Sequence, residues 1–103
     1  MIRTDVRIWL AGAPVDMRRG FDRLAEHVRS ILAADPMSGH LFVFRNRTGE
    51  RVKILWWDRD GYCIYYKRLE RGGFQFPSPG AGEKHVTIRS EQLVKLLAGC
   101  AVA

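Results

Sequence analysis

The stretch from Leu41 to Phe76 constrains the fold of this chain more than any other part of the sequence. Three strand-like apolar runs lie within it: Leu41–Arg45, Arg51–Trp57 and Tyr62–Tyr66. They are separated by Asn46-Arg47-Thr48-Gly49 and Asp58-Arg59-Asp60-Gly61. Both separators are turn sequences, because Gly adopts positive φ without strain and Asn or Asp tolerates it. The sequence therefore predicts a three-stranded antiparallel meander.

Before the meander, the sequence predicts one strand and one helix. Val6, Ile8 and Leu10 alternate with other residues, which is typical of a half-buried strand. Asp16 is expected to cap the helix, because a carboxylate there can accept from free backbone N–H groups. Apolar residues then recur at helical spacing: Phe21, Leu24, Ala25, Val28, Ile31 and Leu32. The helix is expected to end at Asp35-Pro36, since the residue before proline avoids the α region.

After the meander, Phe74-Gln75-Phe76 is interpreted as a further short strand, followed by a loop over Pro77–Gly82. His85–Arg89 alternates again, and Ser90 is expected to cap a short helix with inward-facing leucines. The resulting prediction is an α+β fold. Its antiparallel sheet, the three-stranded meander plus flanking strands, packs against one long helix and one short C-terminal helix.

Length and composition favour one compact domain over residues 1–103. The chain is 47% hydrophobic, and no apolar run approaches the roughly 18 residues needed to span a bilayer. The charged N-terminal segment, residues 1–7, does not resemble a signal peptide. Cys63 and Cys100 lie far apart in the sequence, so we interpret both as free thiols in a reducing cytoplasm. The expected location is cytoplasmic.

The charge balance favours an anionic partner. The formal net charge is +6, and 13 of the 17 basic residues are arginine. Arginine forms bidentate contacts with phosphate and stacks on bases and aromatic rings. Nucleic acid, an acidic protein face and a membrane surface all fit such a charge. The preference for arginine over lysine also has a second explanation, the base composition of the genome.

The second meander strand predicts a basic sheet face. One face of this strand carries Arg51, Lys53, Leu55 and Trp57, and the other carries Val52, Ile54 and Trp56. Basic groups beside an exposed aromatic ring can hold single-stranded or distorted DNA by charge and stacking. The alternative is a solvated face whose Trp is sheltered by arginine stems. The candidate DNA-binding residues are Arg18, Arg19, Arg45, Arg47, Arg51, Lys53, Trp57, Lys67, Arg68 and Arg71.

Arg18 and Arg19 belong to this set because they sit near the expected start of the first helix. Exposed N–H groups at a helix start, together with two guanidinium groups, can hold a phosphate. Asp16 would repel an anion at the same place, however. The alternative is an ordinary capped helix with solvated arginines.

No residue pattern predicts catalysis, a metal site or a cofactor. The sequence lacks a nucleophile elbow, a phosphate-binding glycine loop and a nuclease-type carboxylate pattern. Asp58-Arg59-Asp60-Gly61 lacks the further oxygen ligands of a calcium loop, and the histidines and cysteines have no local zinc-ligand spacing. We therefore expect a protein that is not an enzyme. A stand-alone nuclease or transferase remains the alternative, because carboxylates distant in sequence can converge.

Four motifs together resemble one protein family. They occur in order as Pro14–Phe21, Asp35–Phe44, Leu55–Asp58 followed by Gly61, and Tyr66–Glu70 with Gly72 and Phe74. They are similar to those of the TnpB accessory proteins, the second reading-frame products of the IS66 group of bacterial insertion sequences. This family is distinct from the RNA-guided nuclease of the same name. The resemblance spans Val6 to Leu97, but residues 97–103 lack the acidic tail usual in the family.

The resemblance implies a non-catalytic role in DNA transposition beside a separate transposase and other proteins of the element. The leading hypothesis is contact with DNA, or with the transposase–DNA complex, through the basic and aromatic sheet face. The alternative is a protein–protein adaptor that docks on the transposase without touching DNA. No oligomeric state follows from the sequence.

Overall fold

The computed structural model describes residues 5–100 and contains a five-stranded mixed sheet with two helices. The elements are β1 (Ile8–Ala11), α1 (Phe21–Ser30), β2 (Leu41–Arg45), β3 (Arg51–Asp58), β4 (Gly61–Arg68), β5 (His85–Ile88) and α2 (Ser90–Leu97). The strand order is β4-β3-β2-β1-β5. Residues 1–4, which are part of the segment judged unlike a signal peptide, and residues 101–103 lie outside the described part of the chain.

The predicted meander is confirmed. β2 pairs antiparallel with β3, and β3 pairs antiparallel with β4, with Asp58 opposite Gly61 at the second turn. The pairing of β3 with β4 runs without interruption to Arg51 opposite Arg68. The strand at His85 and the C-terminal helix are also present. Ser90 does not cap this helix, however, since it is the first helical residue and Arg89 occupies the N-cap position. These elements follow from local signals, namely two glycine-containing turns and short alternating runs.

The prediction of an antiparallel sheet is wrong, because β1 and β2 are parallel. Ile8 lies opposite Leu41 and Leu10 opposite Val43 in this pair, whereas β5 pairs antiparallel with the other side of β1. A parallel pair needs a long crossover connection, usually one that contains a helix. The connection between β1 and β2 contains α1, so the sheet is mixed.

The prediction of one long and one short helix is also wrong. α1 has 10 residues and α2 has 8. α1 begins at Phe21 with Gly20 at its N-cap position, four residues later than the Asp16 cap predicts. Asp16 instead accepts hydrogen bonds from the backbone and guanidinium of Arg18. The carboxylate is thus consumed in a local turn of the kind that Asp readily forms, and it leaves the helix start uncapped by a side chain.

The interpretation of Phe74-Gln75-Phe76 as a strand is wrong as well. Phe74 donates its backbone N–H to the carbonyl of Gly49 at 2.7 Å, in the loop between β2 and β3. Its ring is buried in the core. The segment therefore behaves as a packed loop, in which burial of an aromatic ring gives the same apolar signal as a strand.

Each face of the sheet has its own hydrophobic core. The α1 side contains Ala11, Val15, Leu24, Ala25, Val28, Leu32, Phe42, Phe44 and Leu55. The α2 side contains Ile8, Leu10, Val43, Val52, Ile54, Phe74, Leu93 and Leu96. Successive residues of a strand point to opposite faces, so β2 and β3 are buried on both sides. The expectation that one face of β3 is an open basic surface is wrong, since Lys53 is only 9% exposed and Leu55 is fully buried.

His27 is a titratable group held against the α1-side core. Its ring meets Phe44 edge to face at a centroid distance of 5.5 Å. Its Nδ1 atom lies 3.4 Å from a guanidinium nitrogen of Arg19, and its buried Nε2 atom has no partner among residues 5–100. Burial, and secondarily the charge of Arg19, lower the pKa of His27 below its ordinary value. The neutral ring is therefore favoured in the folded protein.

We predict that the melting temperature falls as the pH is lowered below about 6.5, the ordinary histidine pKa. The unfolded chain then binds the His27 proton more readily than the folded chain does, so protonation favours unfolding. A thermal-melt series across this pH range should show a shallower decline for His27→Gln. Gln75→Ala is the control, because it removes an exposed side chain that does not titrate, and it should keep the wild-type slope. Equal slopes for wild type and His27→Gln would contradict this account.

Candidate nucleic-acid interface

Asn46 organises the loop between β2 and β3. Its Oδ1 atom accepts hydrogen bonds from the backbone N–H groups of Gly49 at 3.0 Å and Arg51 at 3.1 Å. Its amide nitrogen donates to Glu50 at 2.8 Å. Gly49 has φ +81°, a left-handed conformation that glycine adopts without strain. The loop is therefore fixed by its own side chains, and Arg47 stands exposed at its tip.

Three arginines from separate segments line one open groove, which we call the arginine groove. Arg18 comes from the segment before α1, Arg47 from the loop after β2 and Arg51 from the start of β3. Its volume is about 460 Å³. The remaining lining residues are Val15, Asp16, Met17, Asn46, Thr48 and Tyr66. Three cationic side chains beside hydroxyl and amide groups can bind phosphate oxygens by charge-assisted hydrogen bonds.

Tyr66 supplies an aromatic ring to the arginine groove. A guanidinium nitrogen of Arg51 donates to its hydroxyl at 2.6 Å. The Lys53 ammonium lies 4.8 Å from the ring centroid, within cation–π range. Tyr66 is nevertheless 46% exposed. The two cations fix the ring in place while leaving part of it open to a stacking partner.

Arg18 carries its own counterion. Its guanidinium makes paired hydrogen bonds to Asp16, the shorter at 2.7 Å. These bonds hold the pKa of the Asp16 carboxyl far below its usual range, so the carboxylate stays charged at all physiological pH values. Arg18 is 92% exposed but already paired. Arg47 and Arg51 form no such ion pair among residues 5–100. The charge of Arg51 nevertheless acts on Glu50, because hydrogen bonds from Thr48 and Asn46, and in addition the Arg51 charge, lower the pKa of the Glu50 carboxyl.

A second, smaller groove adjoins the first and shares Arg47 with it. Arg45 donates to the carbonyl of Gly12 at 3.2 Å, and its guanidinium lies 5.8 Å from the ring centroid of Phe76. This groove has a volume of about 290 Å³ and is lined by both arginines. Phe76, which was expected in a strand, is thus a ring against which Arg45 is held.

The basic surface continues along the edge of the sheet. Arg68 lies directly opposite Arg51 in the β3–β4 register, and it makes an ion pair with Glu70 at 2.8 Å. Arg71 is exposed in the turn after β4. We call this end of the molecule the arginine end; its members are Arg18, Arg45, Arg47, Arg51, Arg68 and Arg71. Six of the ten predicted contact residues therefore lie at one end of the sheet.

The other four predicted residues are placed differently. Buried Lys53 donates to the backbone carbonyl of Arg19 at 2.9 Å, so the pair joins β3 to the start of α1. Lys67 donates to the carbonyl of Leu97 at 2.7 Å, which satisfies an end carbonyl of α2. Trp57 packs edge to face on Tyr62 near the opposite end of β3. It is six residues from Arg51, or about 20 Å along a strand.

Sequence reasoning missed Tyr66 and Asn46 as parts of this surface. A signal for Tyr66 was present, because a two-residue hairpin turn fixes the register of its strands. Counting outward from Asp58 opposite Gly61 places Tyr66 beside Lys53. Asn46 was recognised only as a turn residue, although its side chain holds most of the loop.

We predict that Asn46→Ala lowers the free energy of unfolding by about 1–2 kcal/mol. The substitution removes the acceptor of two backbone N–H groups in a half-buried loop, and each net hydrogen bond contributes about 1 kcal/mol. Urea denaturation measures the change. Arg47→Ala is the neighbouring control and should stay within about 0.5 kcal/mol of wild type. Equal stability of the two variants would show that Asn46 does not hold the loop.

The described residues contain neither a metal cluster nor a membrane span. Within residues 5–100, no three His, Cys, Asp or Glu side chains are placed to hold one metal ion. Neither helix in the same part of the chain is long and apolar enough to cross a membrane. Cys63 and Cys100 are both free thiols.

Comparison with known proteins places the chain in a family. Residues 6–103 match the model of the IS66 Orf2-like proteins. The chain is 44% identical over 95 residues to the uncharacterized protein y4hO of Sinorhizobium fredii, covering 92% of this chain and 81% of that protein. It is 40% identical over 94 residues to y4jC of the same organism, covering 91% and 79%. No solved structure matches significantly. The chain therefore belongs to the IS66 Orf2-like family, the TnpB accessory proteins of IS66 insertion sequences.

Proposed function

We propose that this protein is a non-catalytic accessory factor of IS66 transposition that contacts DNA through its arginine end. The observation that carries the proposal is the arginine groove, in which Arg47 and Arg51 lie beside the partly exposed ring of Tyr66. Family membership supports the link to transposition. The DNA contact rests on the geometry and charge of the groove.

The groove suits a nucleic-acid backbone with at least one accessible base. Arginine binds phosphate through two parallel N–H donors, and its affinity for DNA is gained largely by release of counterions. A tyrosine ring next to those cations can stack on an unpaired or distorted base. Because Asp16 already neutralises Arg18, Arg47 and Arg51 make the main phosphate contacts.

The partner in this proposal is the transposase of the element, which supplies the strand-cutting and joining chemistry. The protein acts in the cytoplasm, on DNA or on DNA already held by the transposase. Its contribution is binding energy and positioning, because the arginine groove offers cations, a hydroxyl and an aromatic ring to DNA.

We predict that Arg47→Ala combined with Arg51→Ala weakens DNA binding. The slope of the logarithm of the binding constant against the logarithm of the salt concentration should become shallower by about two. Each phosphate contact on duplex DNA contributes about 0.9 to that slope. Fluorescence anisotropy with duplex and single-stranded DNA from an element end, across a salt series, provides the measurement. Arg23→Ala with Lys95→Ala is the matched control, since it removes two exposed helix cations and leaves the same net charge.

The control variant should keep the wild-type salt slope, because its two positions lie outside the arginine end. If both double variants bind equally well, the attraction depends on net charge and the arginine groove is not the interface. If wild-type protein binds neither form of DNA, alone or with the transposase, the DNA-binding proposal is wrong.

The alternative function, an adaptor on the transposase, is favoured by a separate observation. An apolar groove of about 550 Å³ lies at the other end of the sheet. It is lined in part by Trp56, Trp57, Tyr65, Leu93 and Leu97. Partly exposed aromatic side chains around an apolar groove are common anchors in protein interfaces.

We predict that Trp57→Ala separates the two functions. An adaptor should lose co-purification with the transposase, because truncation of an aromatic anchor commonly costs about 2 kcal/mol or more. DNA binding by the purified variant should be unchanged, since Trp57 lies at the end of the sheet away from Arg51. Thermal melting controls for loss of the Tyr62 packing. If a folded Trp57→Ala variant co-purifies with the transposase as well as wild-type protein does, the apolar groove is not the docking site.

A further inference from the structure

β4 is a long edge strand with one open side. It is the outermost strand of the sheet and pairs only with β3 among the described residues. It has eight residues, whereas β5 at the opposite edge has four. It contains neither proline nor a bulge, which are common devices for blocking an edge. Tyr65 and Tyr66 are 41% and 46% exposed on this strand.

The hydrogen-bonding pattern between β3 and β4 identifies the backbone groups of β4 that face the open edge. Leu69 donates its N–H to the carbonyl of Glu50 at 2.8 Å. In an antiparallel pair, alternate residues exchange both bonds with the neighbouring strand. Gly61, Cys63, Tyr65 and Lys67 therefore turn their backbone groups toward β3. The N–H and C=O groups of the other four residues lie in the plane of the sheet and point outward from its open edge. These residues are Tyr62, Ile64, Tyr66 and Arg68.

We propose that a second copy of this chain docks on this edge, with the two β4 strands antiparallel and Tyr65 of each copy facing the other across a twofold axis. In this register Tyr62 lies opposite Arg68 of the other copy, and Ile64 lies opposite Tyr66. A shift by two residues in either direction leaves an outward-facing residue beyond the end of the other strand. The proposed register is thus the one in which all four outward-facing residues of both copies are paired.

The side chains of β4 support this self-pairing. Tyr62 and Arg68 form an aromatic–cation pair across the strands, and Ile64 meets the ring of Tyr66. Lys67 lies opposite Cys63, so no like charges are directly opposed within the strands. Parallel in-register pairing would instead place Lys67 and Arg68 of both copies side by side. Antiparallel pairing separates these two positive ends, and two sheets join into one.

Self-pairing of β4 does not require the proposed DNA contact, so it can be measured without DNA. Sedimentation equilibrium across a concentration series should show a shift from 11.8 kDa toward twice that mass. Tyr65→Lys places two lysines directly opposite each other, with about 4.5 Å between their Cα atoms. The repulsion between their charges should raise the dissociation constant of the dimer at least tenfold. Thr87→Lys on the exposed face of β5 is the matched control and should associate as wild type does. Circular dichroism checks the fold of each variant.

A cysteine cross-link reports the register directly. In a Cys63→Ser, Cys100→Ser background, Tyr65→Cys should form an intermolecular disulfide under mild oxidation, because facing residues of a non-hydrogen-bonded pair bring their Cβ atoms within reach. Thr87→Cys should not. A wild-type protein that stays at 11.8 kDa up to millimolar concentration overturns the proposal. The proposal is also overturned if Thr87→Lys weakens the association and Tyr65→Lys does not. Protection of the β4 edge from hydrogen exchange only after the transposase is added would overturn it as well.

Discussion

Burial of β3 on both faces is the constraint on which the rest of the molecule depends. Leu55 packs toward α1, and Val52 and Ile54 pack toward α2, so both faces of the strand are covered from Val52 to Leu55. Lys53 is the charged residue on this strand that is nevertheless buried. Burial of a charge is unfavourable unless the charge has partners, and the Lys53 ammonium has two, the Arg19 carbonyl and the Tyr66 ring. Binding surfaces are therefore confined to the ends and the outer edges of the sheet.

The two ends of the sheet have different chemistry. One end collects arginines from the segment before α1, the loop after β2 and the strands β3 and β4. The other end has an apolar groove with Trp56 and Leu97 in its lining. A single small domain can thus contact an anionic partner and an apolar partner at the same time. This division suits an accessory protein that joins DNA to a transposase, and it lets single substitutions distinguish the two contacts.

The internal polar network matters because it presents the arginines in fixed positions. Asn46 holds the loop that carries Arg47, and Tyr66 holds the guanidinium of Arg51. A side chain held before binding loses less conformational entropy when it meets a ligand. Asp16 has the opposite effect on Arg18, since it binds the guanidinium that a phosphate would need. Charge counted from sequence therefore overstates the cations that are available.

The sequence by itself determined the meander, the C-terminal strand and helix, and the family. The turns at Asn46–Gly49 and Asp58–Gly61 are set by residues next to one another, and such local signals can be recognised without a fold. Tertiary structure decided the parallel pairing of β1 with β2, because a crossover depends on where α1 packs. It also decided that Lys53 is buried while Arg51 is not. Both side chains point to the same face of β3, but α1 covers the middle of the sheet and leaves its end open.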